Sequence, residues 1–264
     1  MEPLRVAIVG ATGRTGSAVL RLAAGDPALR IVAALAAGDD PRLGRDAGTA
    51  VGLDPLGVLV TEHTDARPDV LIDFSAPVSC MQWLGWCVRN DVAFVSGTTG
   101  LEADQRAQFA QAARTIAVLW ARNMSIGVNL LVQIVGEIAA RLGPGWDTEI
   151  VETHHRHKVD APSGTAQALY EAVCAALHRD PTTAAVHGRS GKPGPRAAGE
   201  IGVHALRMGG IVGEHRIHFA TPDEQLTLEH RAFSRDTFAA GAIRAAKWLD
   251  DRPPGLYAMR DVLK

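Results

Sequence analysis

The chain has 264 residues, 47% of them hydrophobic and 21% charged, with a formal net charge of −2. At roughly 150 residues per domain, that predicts one large or two small domains, long enough to fold without disulfide or metal staples. The near-neutral balance excludes bulk attraction to nucleic acid or anionic lipid, and no apolar run reaches the roughly 18 residues of a membrane span. Cys80, Cys87 and Cys174 form no CxxC pair and read as reduced thiols of a cytoplasmic protein. Met1–Arg5 has no signal-peptide layout.

Short β-branched runs at Arg5–Val9, Arg30–Ala34, Val70–Phe74, Val92–Val95 and Ile116–Trp120 predict strands buried on both faces. Gly16–Ala24, Val78–Arg89 and Glu102–Ala113 carry helical periodicity between them. Repeated β-α-β units predict a parallel sheet with helices on both sides. Ala37–Thr64 reads as surface loop with a short strand near Val58–Val60. Ser125–Leu142 reads as a long helix, with Ser125 as its cap and Gly143-Pro144-Gly145 as its stop. Beyond it the texture changes. Trp146–Glu152 is strand-like, Ser163–Leu177 helical, and His178–Glu200 a polar loop. Ile201–Met208, Gly213–Ala220 and Gln225–Arg231 follow as strands joined by turn-length segments, which predicts antiparallel hairpins. A last helix, Arg235–Leu249, ends before Pro253-Pro254. The expected fold is α/β, with a join between two domains near residue 122.

Val6–Val9 is followed by Gly10-Ala11-Thr12-Gly13-Arg14-Thr15-Gly16 and an apolar helix. Glycines in such a strand-turn-helix let the chain reverse, let backbone N–H groups approach a pyrophosphate, and let helix pack on strand. The spacing is GxxGxxG, a variant of the commoner GxGxxG fingerprint. An acidic residue is expected at the end of the second strand, on the adenosine ribose, but that position holds Ala36-Ala37. Asp39 or Asp40 is left to reach the ribose, and Arg14, Arg42 or Arg45 to meet a 2′-phosphate, so NADH and NADPH both stay open. A second small loop, Gly97-Thr98-Thr99-Gly100, follows another strand, where loops line the ligand crevice of an open α/β sheet.

Glu152-Thr153-His154-His155-Arg156-His157-Lys158-Val159-Asp160-Ala161-Pro162-Ser163-Gly164-Thr165 is the most informative stretch. Three of the ten histidines, an arginine and a lysine fall within five residues between a strand and a helix. Three readings compete. A metal site would take two or three of these histidines with Asp160 or Glu152, yet no further His or Cys pair stands at ligand spacing. A solvated basic loop is the bland reading. The third is a general acid beside a cationic clamp for an anionic substrate. The helix start at Ser163-Gly164-Thr165 favours the third, because its free N–H groups bind a carboxylate.

These motifs, with Asn123-Met124-Ser125-Ile126-Gly127-Val128-Asn129 and Gly213-Glu214-His215, resemble the 4-hydroxy-tetrahydrodipicolinate reductase family in order and spacing along nearly the whole chain. The resemblance implies an NAD- or NADP-dependent oxidoreductase of diaminopimelate and lysine biosynthesis, reducing a cyclic imine dicarboxylate with NADH or NADPH. It implies a Rossmann-like parallel-sheet domain, residues 1–122 completed by 235–264, that binds the dinucleotide. A smaller α+β domain with a mixed or antiparallel sheet, residues 123–234, would bind substrate and build a homotetramer. On this pattern His154 is the proton donor or acceptor and Lys158 a second proton donor. His155, Ser163, Gly164 and Thr165 bind substrate. Gly10, Ala11, Thr12, Gly13, Arg14 and Thr15, then Gly97, Thr98 and Thr99, then Ala121, Arg122, Asn123 and Met124 contact the cofactor. No metal is implied.

The chain departs from the family pattern at three places, all near the cofactor. Ala36-Ala37 stands where many members carry an acid followed by arginine, Ala76 where many carry arginine, and Arg122 where a small residue or proline is usual. Cys80 and Cys87, with Trp83 and Trp86 between them, read as helix packing. Gly188–Arg196 reads equally as a basic lid or as solvated loop. The opening motif also fits a non-catalytic NADP(H)-sensing regulator, which leaves the His-rich segment unexplained, and a sibling reductase of another cyclic imine or amino acid is a further alternative.

Overall fold

A computed structural model describes residues 2–264. In chain order the elements are β1 Leu4–Val9, α1 Gly16–Ala24, β2 Leu29–Leu35, α2 Ala47–Ala50, β3 Val60–Thr61, β4 Val70–Asp73, α3 Pro77–Asn90, β5 Ala93–Ser96, α4 Ala103–Ala112 and β6 Ala117–Trp120. They continue with α5 Ile126–Leu142, β7 Asp147–His154, α6 Gly164–Ala176, β8 Ala185–Val186, β9 Ile201–Arg207, β10 Gly213–Ala220, β11 Gln225–Ala232, α7 Asp236–Leu249, β12 Gly255–Tyr257 and α8 Met259–Val262. Internal contacts divide the chain into two units: one runs to Ile126 and resumes over Arg235–Lys264, and the other is Gly127–Ser234. Among the described residues no helix is long and apolar enough to cross a membrane.

The first unit is Rossmann-like. Its seven strands lie in the order β12-β6-β5-β4-β1-β2-β3, every pair parallel. The chain moves outward from β1 through β2 and β3, then resumes at β4 on the other side of β1. The C-terminal ends of β1 and β4 therefore flank the point where strand order reverses, where ligands bind in such sheets. Strand alternation sends Val6 and Ile8 into one core with α1 and α7, and Ala7 and Val9 into the opposite core with α3 and α4. Burial on both faces is why these strands read as unbroken apolar runs. Cys80 and Cys87 are wholly buried in the second core, as packing predicted. The edge strand β12 extends the sheet beyond the last expected helix by pairing with β6.

The turn after β1 depends on two glycines. Gly10 has φ +71°, and a Cβ there would overlap the Phe74 carbonyl at the end of β4. A Cβ on Gly16 would overlap the Gly10 carbonyl, so only glycine lets α1 start this close to the strand.

The second unit holds a mixed five-stranded sheet in the order β11-β10-β7-β9-β8. β10 and β11 form the expected antiparallel hairpin, but β9 and β10 do not pair. Between them lies β7, parallel to β9 and antiparallel to β10. The short link 208–212 thus steps over the end of β7, with the Met208 N–H on the His154 carbonyl and the Arg156 N–H on the Gly209 carbonyl. Helices α5 and α6 cover one face, packing Leu131, Val135, Leu169 and Val173 on Ile150, Val203 and Ile217. On the other face the arginines of the 188–196 loop are tied down. Arg189 pairs with Glu149 and Glu200, and Arg196 with Asp147 and Glu149.

A Gly16→Ala substitution is expected to lower stability by about 2 kcal/mol or more, because the clash is with backbone that cannot rotate away. Urea unfolding of the purified variant checks this.

Candidate active site

The inner face of β7 carries Ile150, Glu152 and His154 in alternation. Register sets Val203 and Ile217 beside Ile150, Ala205 and His215 beside Glu152, and Arg207 beside His154. The row passes from apolar core to a charged cluster within four residues, at the C-terminal end of the strand. Glu152 is fully buried. Its carboxylate accepts from His154 Nδ1 at 2.6 Å, from both Arg207 terminal nitrogens at 2.8 and 2.7 Å, and from the Ser163 amide at 3.0 Å. Burial alone would raise this carboxyl, but the His154 and Arg207 hydrogen bonds outweigh it and hold it down at about 2.

A carboxylate at Nδ1 fixes the His154 tautomer and leaves Nε2 as the ring nitrogen not engaged by Glu152. That atom faces Gly213, where a Cβ would stand only 3.1 Å away. Glycine at 213 keeps the space at Nε2 open. His215 meets His154 edge-on at 5.2 Å between ring centroids and lies 3.1 Å from Ser163 Oγ through Nε2. Burial, then the nearby His154, push its pKa down to about 3, so it stands neutral. Ser163 caps α6 by accepting from the Ala166 amide. Gly164 opens the helix facing unfilled space, and Thr165 is the next residue of the first turn.

The remaining basic residues of the stretch diverge. His155 is half-buried, its ring 6.3 Å from that of His157, while Arg156 and His157 are exposed. Lys158 is mostly covered and pairs with Asp160 at 2.7 Å. Among the described residues no group of three or more His, Cys, Asp or Glu could hold a metal ion.

In the first unit, Gly10–Thr15, Gly97–Thr99 and Ala121–Met124 all follow strands at the C-terminal edge of the parallel sheet. Ala11 is buried with its amide on the Leu35 carbonyl, and Gly13 donates to Gly10. The amides of Thr12, Arg14 and Thr15 have no partner among the described residues. Arg14 is exposed, and Arg235, at the start of α7, is lowered by burial and by Arg14; neither forms an ion pair. Undonated amides beside two unpaired guanidinium groups are the donor set a pyrophosphate takes, so the turn fits a dinucleotide.

A buried carboxylate also organises the Gly97–Gly100 loop. Asp73, fully buried, accepts from Ser75 Oγ at 2.5 Å, from Ser96 Oγ at 2.7 Å and from Thr98 Oγ1 at 2.7 Å. The Thr98 hydroxyl is therefore committed within the fold, and the Thr98 carbonyl accepts from Trp120 Nε1. Thr99 and Arg122 are exposed, Ala121 donates to the Ser96 carbonyl, Asn123 caps the Ser125 amide, and Met124 is buried in the core.

Family models described as dihydrodipicolinate reductase, N-terminus and C-terminus, match residues 4–124 and 127–263. A 4-hydroxy-tetrahydrodipicolinate reductase of Thiobacillus denitrificans is 47% identical over 263 residues, covering 98% of both chains. One from Anaeromyxobacter dehalogenans is 44% identical over 262 residues, covering 98% of this chain and 97% of the relative. The chain belongs to the dihydrodipicolinate reductase family. A solved dipicolinate-bound dihydrodipicolinate reductase from Paenisporosarcina sp. TG-14 shares the fold, with a TM-score of 0.76, 24% identity and 97% coverage of both chains. The family consists of NAD(P)H-dependent oxidoreductases, and its relatives here are named for the reductase of the diaminopimelate route to lysine.

Several site residues escape a sequence reading of this reductase. Arg207 lies 55 positions from the Glu152 it pairs with, and Asp73 reads only as the end of an apolar strand. Arg235 gives no signal until α7 joins the first unit. The alternation Glu152–His154 on a strand was the available clue to the dyad, since it puts both side chains on one face.

Because Glu152 is held below its ordinary pKa, it stabilises the fold fully above that ordinary value, about 4.5, and the contribution disappears as pH falls toward about 2. Acid titration followed by circular dichroism should show this loss. Glu152→Gln should flatten that slope and cost about 3 kcal/mol or more at neutral pH, by leaving Arg207 without its charge partner.

Proposed function

We propose that this chain reduces the dihydrodipicolinate-type cyclic imine dicarboxylate to tetrahydrodipicolinate by adding one hydride and one proton, and that the Glu152–His154 pair supplies its proton transfer. The carrying observation is a histidine fixed through Nδ1 by a buried carboxylate, with Nε2 facing the opening left by Gly213. The bound nicotinamide supplies the hydride. His154 Nε2 supplies or accepts the accompanying proton, and Glu152 keeps the ring in the tautomer that does so.

Two substrate carboxylates need positive partners. The first turn of α6, at Gly164 and Thr165 behind the Ser163 cap, offers amide donors and the positive end of a helix. Lys158, freed from Asp160 by a competing carboxylate, offers an ammonium and a second proton, and His155 a further ring beside it. The cofactor is held by the Gly10–Thr15 turn with Arg14, by Gly97–Thr99 and by Ala121–Met124. The buried pair at Asp73 and the core packing of Met124 assign Thr98 and Met124 to shaping backbone, so their contacts are made through main-chain atoms.

Assembly as a homotetramer belongs to the same reading. It is supported by the five-stranded sheet, whose second face no helix of its own unit covers. Light scattering on a sizing column tests it.

The activity is tested by supplying the product of dihydrodipicolinate synthase and following NADH or NADPH absorbance; oxidation of neither refutes the proposal. His154→Gln is expected to reduce kcat by about 10²–10⁴-fold while the affinity for dinucleotide changes little. Full turnover in that variant would remove His154 from the mechanism.

A further inference from the structure

Two of the three departures from the family pattern, Ala36-Ala37 and Ala76, fall together. Ala36, Ala37 and Ala76 line one cavity of about 560 Å³ in the first unit, together with Gly38, Glu62 and one face of α3. The cavity opens at the C-terminal ends of β2, β3 and β4, where the adenosine half of a dinucleotide lies in such sheets. Trp83 and Trp86, 5.5 Å apart between ring centroids, supply an aromatic wall for a purine.

The charged groups nearest in sequence do not line it. Arg42 donates to both Asp40 oxygens at 2.9 Å and to the Thr12 carbonyl at 2.8 Å, while Asp40 also accepts from Thr12 Oγ1. The two charges neutralise each other and brace the glycine turn. Inside the cavity the carboxylate comes from the neighbouring strand. β2 and β3 pair in parallel with Leu35 opposite Thr61, and the Ala36 amide donates to the Thr61 carbonyl. Glu62 therefore stands at the level of Ala36. Its carboxylate folds over Gly38, where a Cβ would lie 3.0 Å from both oxygens. Among the described residues its one close ion-pair partner is the exposed His63, 3.9 Å away. Arg89, whose guanidinium lies against Gly85 of α3, also lines the cavity.

Resting on the reading of the first unit as the dinucleotide-binding one, we propose that Glu62 is the nucleotide-selecting residue of this chain: its carboxylate accepts from the adenosine ribose hydroxyls and repels a 2′-phosphate, so that the enzyme takes NADH in preference to NADPH. Alanine at 36, 37 and 76 leaves room for the ribose and supplies no cation from these three positions; the basic side chains that line the cavity are His63 and, on α3, Arg89. A phosphate dianion facing a carboxylate is disfavoured, and with Glu62 half-exposed the effect is about ten-fold in affinity.

The test is direct binding without substrate, by calorimetry and by quenching of tryptophan fluorescence, using NADH, NADPH, ADP-ribose and 2′-phospho-ADP-ribose. The wild type is expected to bind NADH about ten-fold more tightly than NADPH, with the same ratio between the two fragments. Glu62→Gln should bring each ratio close to one, and Glu62→Arg should invert it. The only close ion pair of Glu62 is with exposed His63, so both variants should keep the wild-type melting temperature. A wild type that prefers NADPH, most directly with that preference lost in Arg89→Leu, overturns the proposal. So does an unchanged ratio in Glu62→Gln. If no dinucleotide binds at all, the reading of the first unit fails, and this selection falls with it.

Discussion

Burying the Glu152 carboxylate without partners would cost several kcal/mol, and the second unit is arranged so that it is never without them. His154 comes from the same strand, Arg207 from the parallel neighbour β9, and the Ser163 amide from the start of α6. One charge thus fixes the relative position of two strands and a helix start. The His154 ring and the amide donors of α6 are consequently parts of one object. A shift in either changes the solvation of a buried ion, which gives the cluster its rigidity.

The first unit uses a neutral version of the same device. Asp73, equally buried at the end of β4, collects hydroxyl donors from Ser75, Ser96 and Thr98. Among the described residues no guanidinium pairs with it, and hydrogen bonds alone satisfy its oxygens. Its donors are the loops that follow β4 and β5, and both loops border the crevice at the reversal of strand order. In each unit an acid at the C-terminal end of a central strand organises the loops around it. The difference lies in what is exposed: a histidine nitrogen in one unit, backbone and small side chains in the other.

The parallel sheet was legible because two-sided burial writes unbroken apolar runs, and the glycine turn because Gly10 and Gly16 meet backbone that no other residue tolerates. The His154–Thr165 stretch was legible as a site for the density of its basic groups. The insertion of β7 between β9 and β10 was not, since a turn-length link sets the distance between two strands and not what lies between them. Arg207 was hidden for a related reason: parallel pairing joins residues whose separation in sequence carries no pattern. The basic loop at 188–196 could be read either way until Glu149 and Glu200 were seen to bind its arginines.

A charged residue near a binding motif counts toward a ligand only after its partners within the fold are subtracted. Asp40 and Arg42 lie where a second strand's ribose acid and phosphate-binding arginine are sought, yet their bidentate pair leaves neither free. Subtraction applied across the chain changes what the net charge of −2 means. Many charges cancel in local ion pairs, and among those with no close counter-ion the informative ones are Arg14 and Arg235 at the glycine turn, and Glu62 at the cavity beside Ala36 with an exposed histidine 3.9 Å away. Parallel strands end along one edge, so a side chain lost from β2 can be replaced from β3 at the same level of the crevice. On the proposal that Glu62 selects the nucleotide, selection is a property of that edge and not of any fixed sequence position, and a motif search along the second strand alone finds two alanines and stops.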